Sequence, residues 1–226
     1  MADTTKKRSA KEDATPLAKR KRFASSFVTA KVGLLAEALT THETLLKDHT
    51  SFFAAALDAK WKEGQTREIK LPEDDPDAVA TYFDFLHTKQ GTVYWDEEDD
   101  KPNFDLLVRV YVFGEKVQDE RFCDVVMSAL CQARDTPDQQ GARYIPGTSV
   151  ITDLYDGTPA GSPARRWVVD QYRDAVDAEG FREDLQNYPA EFVQEVAMDL
   201  KERHQLATRL SVREQREKWF RLKPDA

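Results

Sequence analysis

Few residues in this sequence have types and spacings suited to catalysis or metal binding. His42 and His49 lie seven residues apart, which would put both imidazoles on one face of an unbroken helix. No cysteine or second carboxylate stands beside them at the spacing of a zinc site, so we predict that no metal binds there. We expect His42 instead to hydrogen-bond to the backbone and fix a turn between a strand and a helix.

The acidic run at residues 96–100 is the best candidate for a divalent-cation site, because clustered carboxylates suit hard cations. The run lacks the alternating ligands and the central glycine of a calcium loop, and Lys101 and Pro102 follow it directly. We therefore expect a solvated acidic loop here.

The two cysteines, Cys123 and Cys131, lie eight residues apart on one predicted helix. That spacing corresponds to about 12 Å along a helix axis, which is too far for a disulfide. We predict two structural thiols in a reducing compartment, with a redox or metal-binding role as the alternative.

Other patterns associated with catalysis are missing from the sequence. It has no glycine-rich phosphate loop, no nucleophile elbow and no cluster of histidines with cysteines. We therefore predict that the protein is not an enzyme and has no catalytic residues, no cofactor and no metal. No apolar run is long enough to span a bilayer, and no apolar segment follows the basic residues near the N-terminus, so we expect neither membrane insertion nor secretion.

Electric charge is distributed unevenly along the chain. Residues 1–22 carry eight basic and three acidic side chains, a net charge of +5, whereas the other residues carry 25 basic and 38 acidic side chains, a net charge of −13. Nucleic-acid binding depends on clustered Lys and Arg that neutralise phosphates, so we do not expect the acidic body to bind nucleic acid directly. Residues 1–24 hold almost no large apolar side chain, which predicts a disordered tail.

Two basic clusters in this tail resemble a bipartite nuclear localisation signal. Ten residues separate the clusters, and an import receptor reads such a signal as an extended chain at two acidic sites. The alternative is a solubilising tail, since basic runs are common. We predict recognition by an import receptor and a location in the nucleus, with the cytoplasm as a second compartment. The residues of the predicted signal are Lys6, Lys7, Arg8, Lys19, Arg20, Lys21 and Arg22.

The elements that would position these side chains begin with a short sheet. Residues 27–32 alternate as a strand does, and Gly33 permits the turn that follows. A second strand is predicted at residues 36–41 and a third at residues 67–71.

Helices follow the predicted sheet. Asp75 and Pro76 suit the N-cap and the first position of a helix, and residues 104–117 form a second, buried helix. The first of these helices carries an apolar stripe at helical spacing, formed by Val79, Tyr82, Phe83 and Leu86. A third helix carries a similar stripe, formed by Phe122, Val125, Val126, Ala129, Leu130 and Ala133. We predict that the core of this region includes Phe52, Phe53, Phe83 and Leu86.

A loop rich in Asp, Pro, Gln and Gly at residues 135–147 separates a further helical region. One helix there is predicted to start with Ser162 as N-cap and Pro163 at the first helical position. Another begins near Pro189. Their apolar residues are Trp167, Val168, Tyr172 and Val176, and then Phe192, Val193, Val196 and Leu200.

Within residues 39–57, a strand turns at a histidine into a short helix, and a second helix opens with Ser-Phe-Phe. An aromatic-Lys-Glu turn follows, and residues 110–116 read Val-Tyr-Val-Phe-Gly-Glu-Lys. This order resembles the BTB/POZ domain, and in particular its fungal branch. The residues at the family's motif positions are His42, Ser51, Phe52, Phe53, Lys62 and Glu63.

The resemblance covers roughly residues 25–205 and implies an α/β, more narrowly α+β, fold class. The expected architecture is a BTB/POZ fold, a small three-stranded sheet with a cluster of helices, followed by a helical C-terminal extension. We accordingly divide the chain into a disordered basic tail at 1–24, a BTB/POZ domain at 25–134, a linker at 135–147 and a helical extension at 148–226.

BTB/POZ domains are protein-interaction modules, and they often dimerise through their first helix and strand. The resemblance therefore implies protein partners, in a homodimer or in a heterodimer with a related BTB domain. Phe27 stands where the family usually has an aspartate, so the charged pocket that this aspartate helps to form elsewhere is in doubt here. Phe27 and Val28 are the candidate interface residues. The alternative is that Phe27 packs beneath the C-terminal extension and that the protein is a monomer.

Two non-enzymatic functions are compatible with this resemblance. One is a nuclear regulator of transcription that recruits or dimerises with partners, and the alternative is a substrate adaptor that joins a target to a cullin-type ubiquitin ligase. The chain has no zinc-finger, Kelch or MATH-like segment that would complete either function. The basic tail favours the nuclear function.

Overall fold

The computed structural model describes residues 26–88, 102–176 and 178–206. Within these ranges the chain forms two compact units. Unit 1 contains residues 26–88 and 113–125, and unit 2 contains the remaining described residues.

Three strands and ten α-helices lie in the described part of the chain. In chain order they are β1 Phe27–Val32, β2 Glu37–His42, α1 Glu43–His49, α2 Ser51–Ala56, α3 Lys62–Thr66, β3 Glu68–Leu71, α4 Pro76–His87, α5 Phe104–Val117, α6 Glu120–Asp135, α7 Thr148–Gly157, α8 Pro163–Ala175, α9 Ala178–Glu183 and α10 Ala190–Leu206, with a 3-10 turn at Leu185–Asn187. The predicted mixed class with a small three-stranded sheet is confirmed.

The sheet of unit 1 has the strand order β2-β1-β3. Strand β1 runs antiparallel to β2 and parallel to β3. Because side chains alternate between the faces of a strand, Val28, Ala30 and Val32 all point to one face, and all three are buried. Gly33 ends β1 with a φ of +69°, in the left-handed region that glycine adopts without strain.

Helix α4 begins as predicted. Asp75 is its N-cap and accepts a hydrogen bond from the amide of Ala78 at 2.9 Å, and Pro76 follows at the first helical position. The predicted stripe on α4 is buried, and so is Phe53 on α2. Phe52 is only half-buried, so its prediction as a full core residue was wrong. Adjacent residues on a helix point about 100° apart, so the face of α2 that buries Phe53 leaves Phe52 at its edge.

An aromatic cluster forms the centre of unit 1. The ring of Tyr82 lies 6.0 Å from that of Phe53, 5.5 Å from that of Phe113 and 4.8 Å from that of Phe122, centroid to centroid. The Tyr82 hydroxyl donates a hydrogen bond to Oδ2 of the buried Asp119 at 3.0 Å. Asp119 Oδ1 also accepts from the Phe122 amide at 3.0 Å, so this carboxylate caps the first turn of α6.

Residues 62–66 form the one-turn helix α3, where the sequence suggested a turn. Gly64 explains the tight geometry here. A Cβ atom at this position would lie 2.2 Å from the carbonyl oxygen of Asp58, so only a residue without a side chain fits.

Unit 2 has Phe192 of α10 at its centre. The Phe192 ring lies 5.1 Å from that of Tyr172, 5.3 Å from that of Tyr188 and 5.7 Å from that of Tyr155. Helix α8 starts at Pro163 as predicted. The hydroxyl of Ser162 does not cap this helix as we expected, because it shares a hydrogen bond of 3.2 Å with the hydroxyl of Tyr111.

A buried arginine organises the end of helix α7 in unit 2. Arg165 is only 4% exposed, and its Nη2 donates to the carbonyl oxygens of Tyr155 and Thr158. Its Nε donates to Thr158 Oγ1 at 3.0 Å, and its Nη1 donates to Glu191 Oε2 at 2.7 Å. The carbonyls at the end of a helix lack intrahelical donors, so this guanidinium supplies hydrogen-bond donors to the end of α7.

Among the described helices, none is long and apolar enough to cross a membrane.

Candidate protein-interaction site

The start of strand β1 presents an exposed aromatic ring. Phe27 is 59% exposed, although it belongs to the central strand of the sheet. Its partner across the antiparallel pair is His42, and the two rings lie 4.5 Å apart with 32° between their planes. The imidazole therefore holds the phenyl ring in place while one side of it faces solvent.

His42 connects this ring to helix α4. Its imidazole centroid lies 5.8 Å from that of His87, near the end of that helix. The buried hydroxyl of Thr41 is hydrogen-bonded to Nε2 of His87 at 2.9 Å. Phe27, His42 and His87 thus form a row of rings at one end of the sheet, which we call the ring row.

Val28 does not belong to an exposed interface. Its side chain is fully buried, which corrects the prediction that it contacts a partner. The reason is the alternation of side chains along a strand, since the residue next to the exposed Phe27 must point to the opposite face. Of the two candidate interface residues, only Phe27 is available at the surface.

His49 lies apart from the ring row. Helix α1 begins at Glu43, so His42 and His49 do not share a helix. The Nδ1 atom of His49 lies 3.8 Å from Asp119 Oδ2, and its ring meets the edge of Phe85 at 6.0 Å. Within the described residues, no group of three or more His, Cys, Asp or Glu side chains could hold a metal ion.

The two cysteines lie on helix α6 as predicted, in different surroundings. Cys123 is half-buried, and Cys131 is exposed. Burial, together with the nearby carboxylates of Glu115 and Asp119, raises the pKa of the Cys123 thiol to about 12. The Cys123 thiol is therefore protonated and unreactive at neutral pH.

The other motif residues have mainly structural surroundings. Ser51 is exposed at the first position of α2, and the N-cap of that helix is Thr50, whose hydroxyl accepts from the Phe53 amide at 3.2 Å. Lys62 and Glu63 are exposed on α3. The seven residues of the predicted nuclear localisation signal and the acidic run at 96–100 lie outside the described residues.

Sequence reasoning did not identify two exposed leucines in the turn between β1 and β2. Leu34 is 97% exposed and Leu35 is 95% exposed. Apolar residues after a glycine suggested nothing more than a turn. A usable signal was their position, because side chains in a short turn between two strands have no sheet face to cover them.

The family assignment receives no independent support from comparison with other proteins. No protein-family model matches this chain, and a search of curated proteins also found no match.

Proposed function

We propose that this chain is a non-enzymatic protein-interaction module of the BTB/POZ type, acting in the nucleus as a regulator of transcription by recruiting partners or by dimerising. The observation that carries the proposal is Phe27, an exposed ring fixed against His42 at the start of β1. In the family that the sequence resembles, the first strand takes part in dimer contacts.

The order of elements along residues 26–135 also supports the proposal. Two antiparallel strands lead through His42 into helices α1 and α2, and a third strand then pairs with the first in parallel. The helices α4, α5 and α6 follow. This is the order in which the BTB-like motifs occur along the sequence.

Phe27 has the physical properties of an interface anchor. A phenyl ring that is already held by a neighbouring ring loses little rotamer freedom when a partner covers it. Covering an aromatic side chain contributes strongly to association, and residues of this kind often dominate an interface.

Sedimentation of the full chain over a wide range of concentrations tests the proposed association. We expect a reversible dimer that Phe27→Asp weakens at least tenfold, because the substitution places a charge in the contact. Trp61→Asp is the matched control, since Trp61 is 61% exposed in the same unit and is not part of β1. A monomer at every concentration, or equal weakening by both substitutions, would rule out an interface at Phe27.

Nuclear import is tested separately with a bulky fluorescent fusion, since a chain of 25.9 kDa can diffuse through nuclear pores unaided. Replacing Lys19, Arg20, Lys21 and Arg22 by alanine should move the fusion towards the cytoplasm. The control replaces four exposed basic residues of unit 1, namely Lys60, Lys62, Lys70 and Arg121. Unchanged nuclear accumulation in the tail variant contradicts a nuclear localisation signal.

A further inference from the structure

The turn between β1 and β2 presents two adjacent leucines on a fixed support. The Ala36 amide donates to the Gly33 carbonyl at 3.0 Å, and the Gly33 amide donates to the Leu71 carbonyl at 2.9 Å. These bonds close the turn and tie it to the end of β3. Leu34 and Leu35 are almost fully exposed on this support, although leucine is a residue type that is usually buried. The two side chains form an apolar surface that a partner can cover with little loss of backbone freedom.

A groove of about 590 Å³ lies beside the two leucines. Its apolar lining comes from Val32, Pro72 and Pro76, together with the leucines themselves. A Cβ atom on Gly33 would lie 3.4 Å from Cγ of Pro76, so the turn lies directly against the start of α4. We call the two leucines and this groove the hairpin groove.

The described residues that line the hairpin groove include four acidic side chains and no basic one. Two of the four have partners, since Asp74 forms a 2.6 Å ion pair with Lys116 and the Asp75 side chain caps α4. The other two, Glu37 and Glu73, are exposed, and neither forms an ion pair with a described residue. The groove therefore combines an apolar surface with two carboxylates whose charge no described basic side chain neutralises.

The strand register places these two carboxylates on different sides of the groove. Val32 pairs with Glu37 across β2 and with Leu71 across β3. Neighbouring strands lie about 4.8 Å apart, so the Cα atoms of Glu37 and Leu71 are roughly 10 Å apart. Glu73 follows Leu71 by two residues. A segment that lies in the groove therefore meets one carboxylate on the β2 side and one on the β3 side.

This distribution of charge favours one kind of occupant. A symmetric pairing of two copies through this face brings the acidic groove of each copy against that of the other, which is unfavourable. The same carboxylates disfavour the phosphates of a nucleic acid. A segment of another protein with Lys or Arg on both sides of a short apolar stretch places apolar side chains on the leucines and basic side chains beside the carboxylates.

We propose that the hairpin groove is a docking site for a basic, apolar segment of another protein. Its apolar side chains cover the two leucines, and its Lys or Arg side chains face Glu37 and Glu73. Phe27 precedes Gly33 by six residues, which is roughly 20 Å of strand, so the groove can hold this partner while Phe27 contacts a different chain. The docking does not rest on the function proposed above.

Selection of displayed random peptides against the full chain tests the docking. Peptides that bind the parent protein are retained only if they fail to bind Leu34→Ser/Leu35→Ser, which alters two exposed side chains outside the core. We expect the retained peptides to share a short apolar stretch flanked by Lys or Arg. The affinity of the purified peptides should fall at least about tenfold in Glu37→Lys/Glu73→Lys, because the substitution reverses the charge that faces the basic side chains.

A charge-matched control separates docking from a general attraction to an acidic protein. Asp48→Lys/Glu63→Lys makes the same change in net charge at two exposed residues of unit 1 that do not line the groove. It should weaken peptide binding less than about twofold, since salt screens exposed charges that are not in contact. Phe27→Asp should also leave the peptide affinity nearly unchanged, so a failed interface at Phe27 and a failed groove are distinguished.

Three outcomes would overturn the proposal. Failure to retain any peptide, or retention of acidic ones, would mean that the groove does not bind a basic segment. Equal weakening by the two charge reversals would mean that binding follows the overall charge alone. A dimer of the parent chain that Leu34→Ser/Leu35→Ser dissociates in sedimentation would mean that a second copy covers the leucines.

Discussion

Among the described residues, each unit buries one charged side chain, and the two charges have opposite signs. In unit 1 the carboxylate of Asp119 lies at the N-terminus of α6, where it accepts from a backbone amide and from Tyr82. In unit 2 the guanidinium of Arg165 lies at the C-terminus of α7, where it donates to two backbone carbonyls. The sign of each charge matches the polarity of the helix end that it meets.

In both units, backbone groups at a helix end supply part of what holds the buried charge. Asp119 receives a hydroxyl and an amide, and His49 is the nearest cationic side chain at 3.8 Å. Arg165 does have a carboxylate partner, but the Glu191 side chain is 69% exposed, so solvent screens the ion pair. We expect the backbone contacts to matter more than the ion pair.

The largest expected effect concerns the apolar packing of unit 1, next to its buried carboxylate. Phe53→Ala should lower the free energy of unfolding by about 3–5 kcal/mol, because Phe53 is fully buried against Tyr82. Its neighbour Phe52 is half-buried, so Phe52→Ala should cost clearly less. Chemical denaturation measures both, and a change in midpoint for Phe53→Ala no greater than for Phe52→Ala would place the core elsewhere.

The next effect separates the helix end from the ion pair in unit 2. Arg165→Met keeps much of the side-chain volume but leaves the carbonyls of Tyr155 and Thr158 without their donor, and should cost about 2–4 kcal/mol. Glu191→Ala removes only the exposed partner and should cost less than about 1 kcal/mol. Equal losses in the two variants would show that the ion pair, rather than the helix end, is what Arg165 stabilises.

A smaller effect concerns the hydroxyl that serves Asp119. Tyr82→Phe removes one donor and should lower stability at pH 7 by about 1–2 kcal/mol. Burial and the charge of Asp119 raise the pKa of Tyr82 well above its ordinary value. Below pH 10 both folded and unfolded chains keep this proton, so its contribution is fully present; above pH 10 the unfolded chain loses the proton first, and stability falls.

The loss of stability at alkaline pH gives a second test of the Tyr82→Phe variant. Tyr155 and Tyr172 of unit 2 also have a pKa raised by burial, and they remain in the variant. Tyr82→Phe should therefore reduce the slope of stability against pH above pH 10 by up to about 1.4 kcal/mol per pH unit, without abolishing it. An unchanged slope would mean that Tyr82 titrates in the folded protein as it does in the unfolded chain.

The smallest expected effect is a difference in reactivity between the two thiols, and it involves no change in stability. At pH 8, iodoacetamide should modify Cys131 quickly and Cys123 at least about a hundredfold more slowly, because the Cys123 pKa is raised to about 12. Mass spectrometry of the digested chain resolves the two sites. Cys131→Ser should remove the fast phase, and a single phase in the parent protein would contradict the difference.

Local signals predicted most of the elements, because their causes lie within a few residues. The strand at 27–32 follows from alternation, helix α4 from Asp75 and Pro76, and α5 from an apolar run at 104–117. Local sequence could not predict contacts whose partners lie far away along the chain. Ser162 has the residue type of an N-cap, but Tyr111, 51 residues away, is its hydrogen-bond partner.

The candidate sites were less predictable for the same reason. Nothing near Arg165 in the sequence indicates burial, since arginine is mostly exposed and two of the acceptors of Arg165 are backbone oxygens. The sequence placed Phe27 at a candidate interface but left open whether it packs beneath the extension, and its exposure favours the first. The contact of His42 with His87 depends on how α4 packs against β2. Leu34 and Leu35 are of a residue type usually found in a core, and only their position in the turn after Gly33 indicates their exposure.

Helix α6 places a constraint on how this protein can change during evolution. The helix is continuous from Glu120 to Asp135, and its residues up to 125 belong to unit 1 while those from 126 belong to unit 2. Inserting or deleting one residue near Val125 would shift the side chains that follow it by about 100° around the helix axis and turn Val126 and Leu130 out of their buried positions. Length changes should therefore accumulate in the loop at 136–147 and be selected against in this helix.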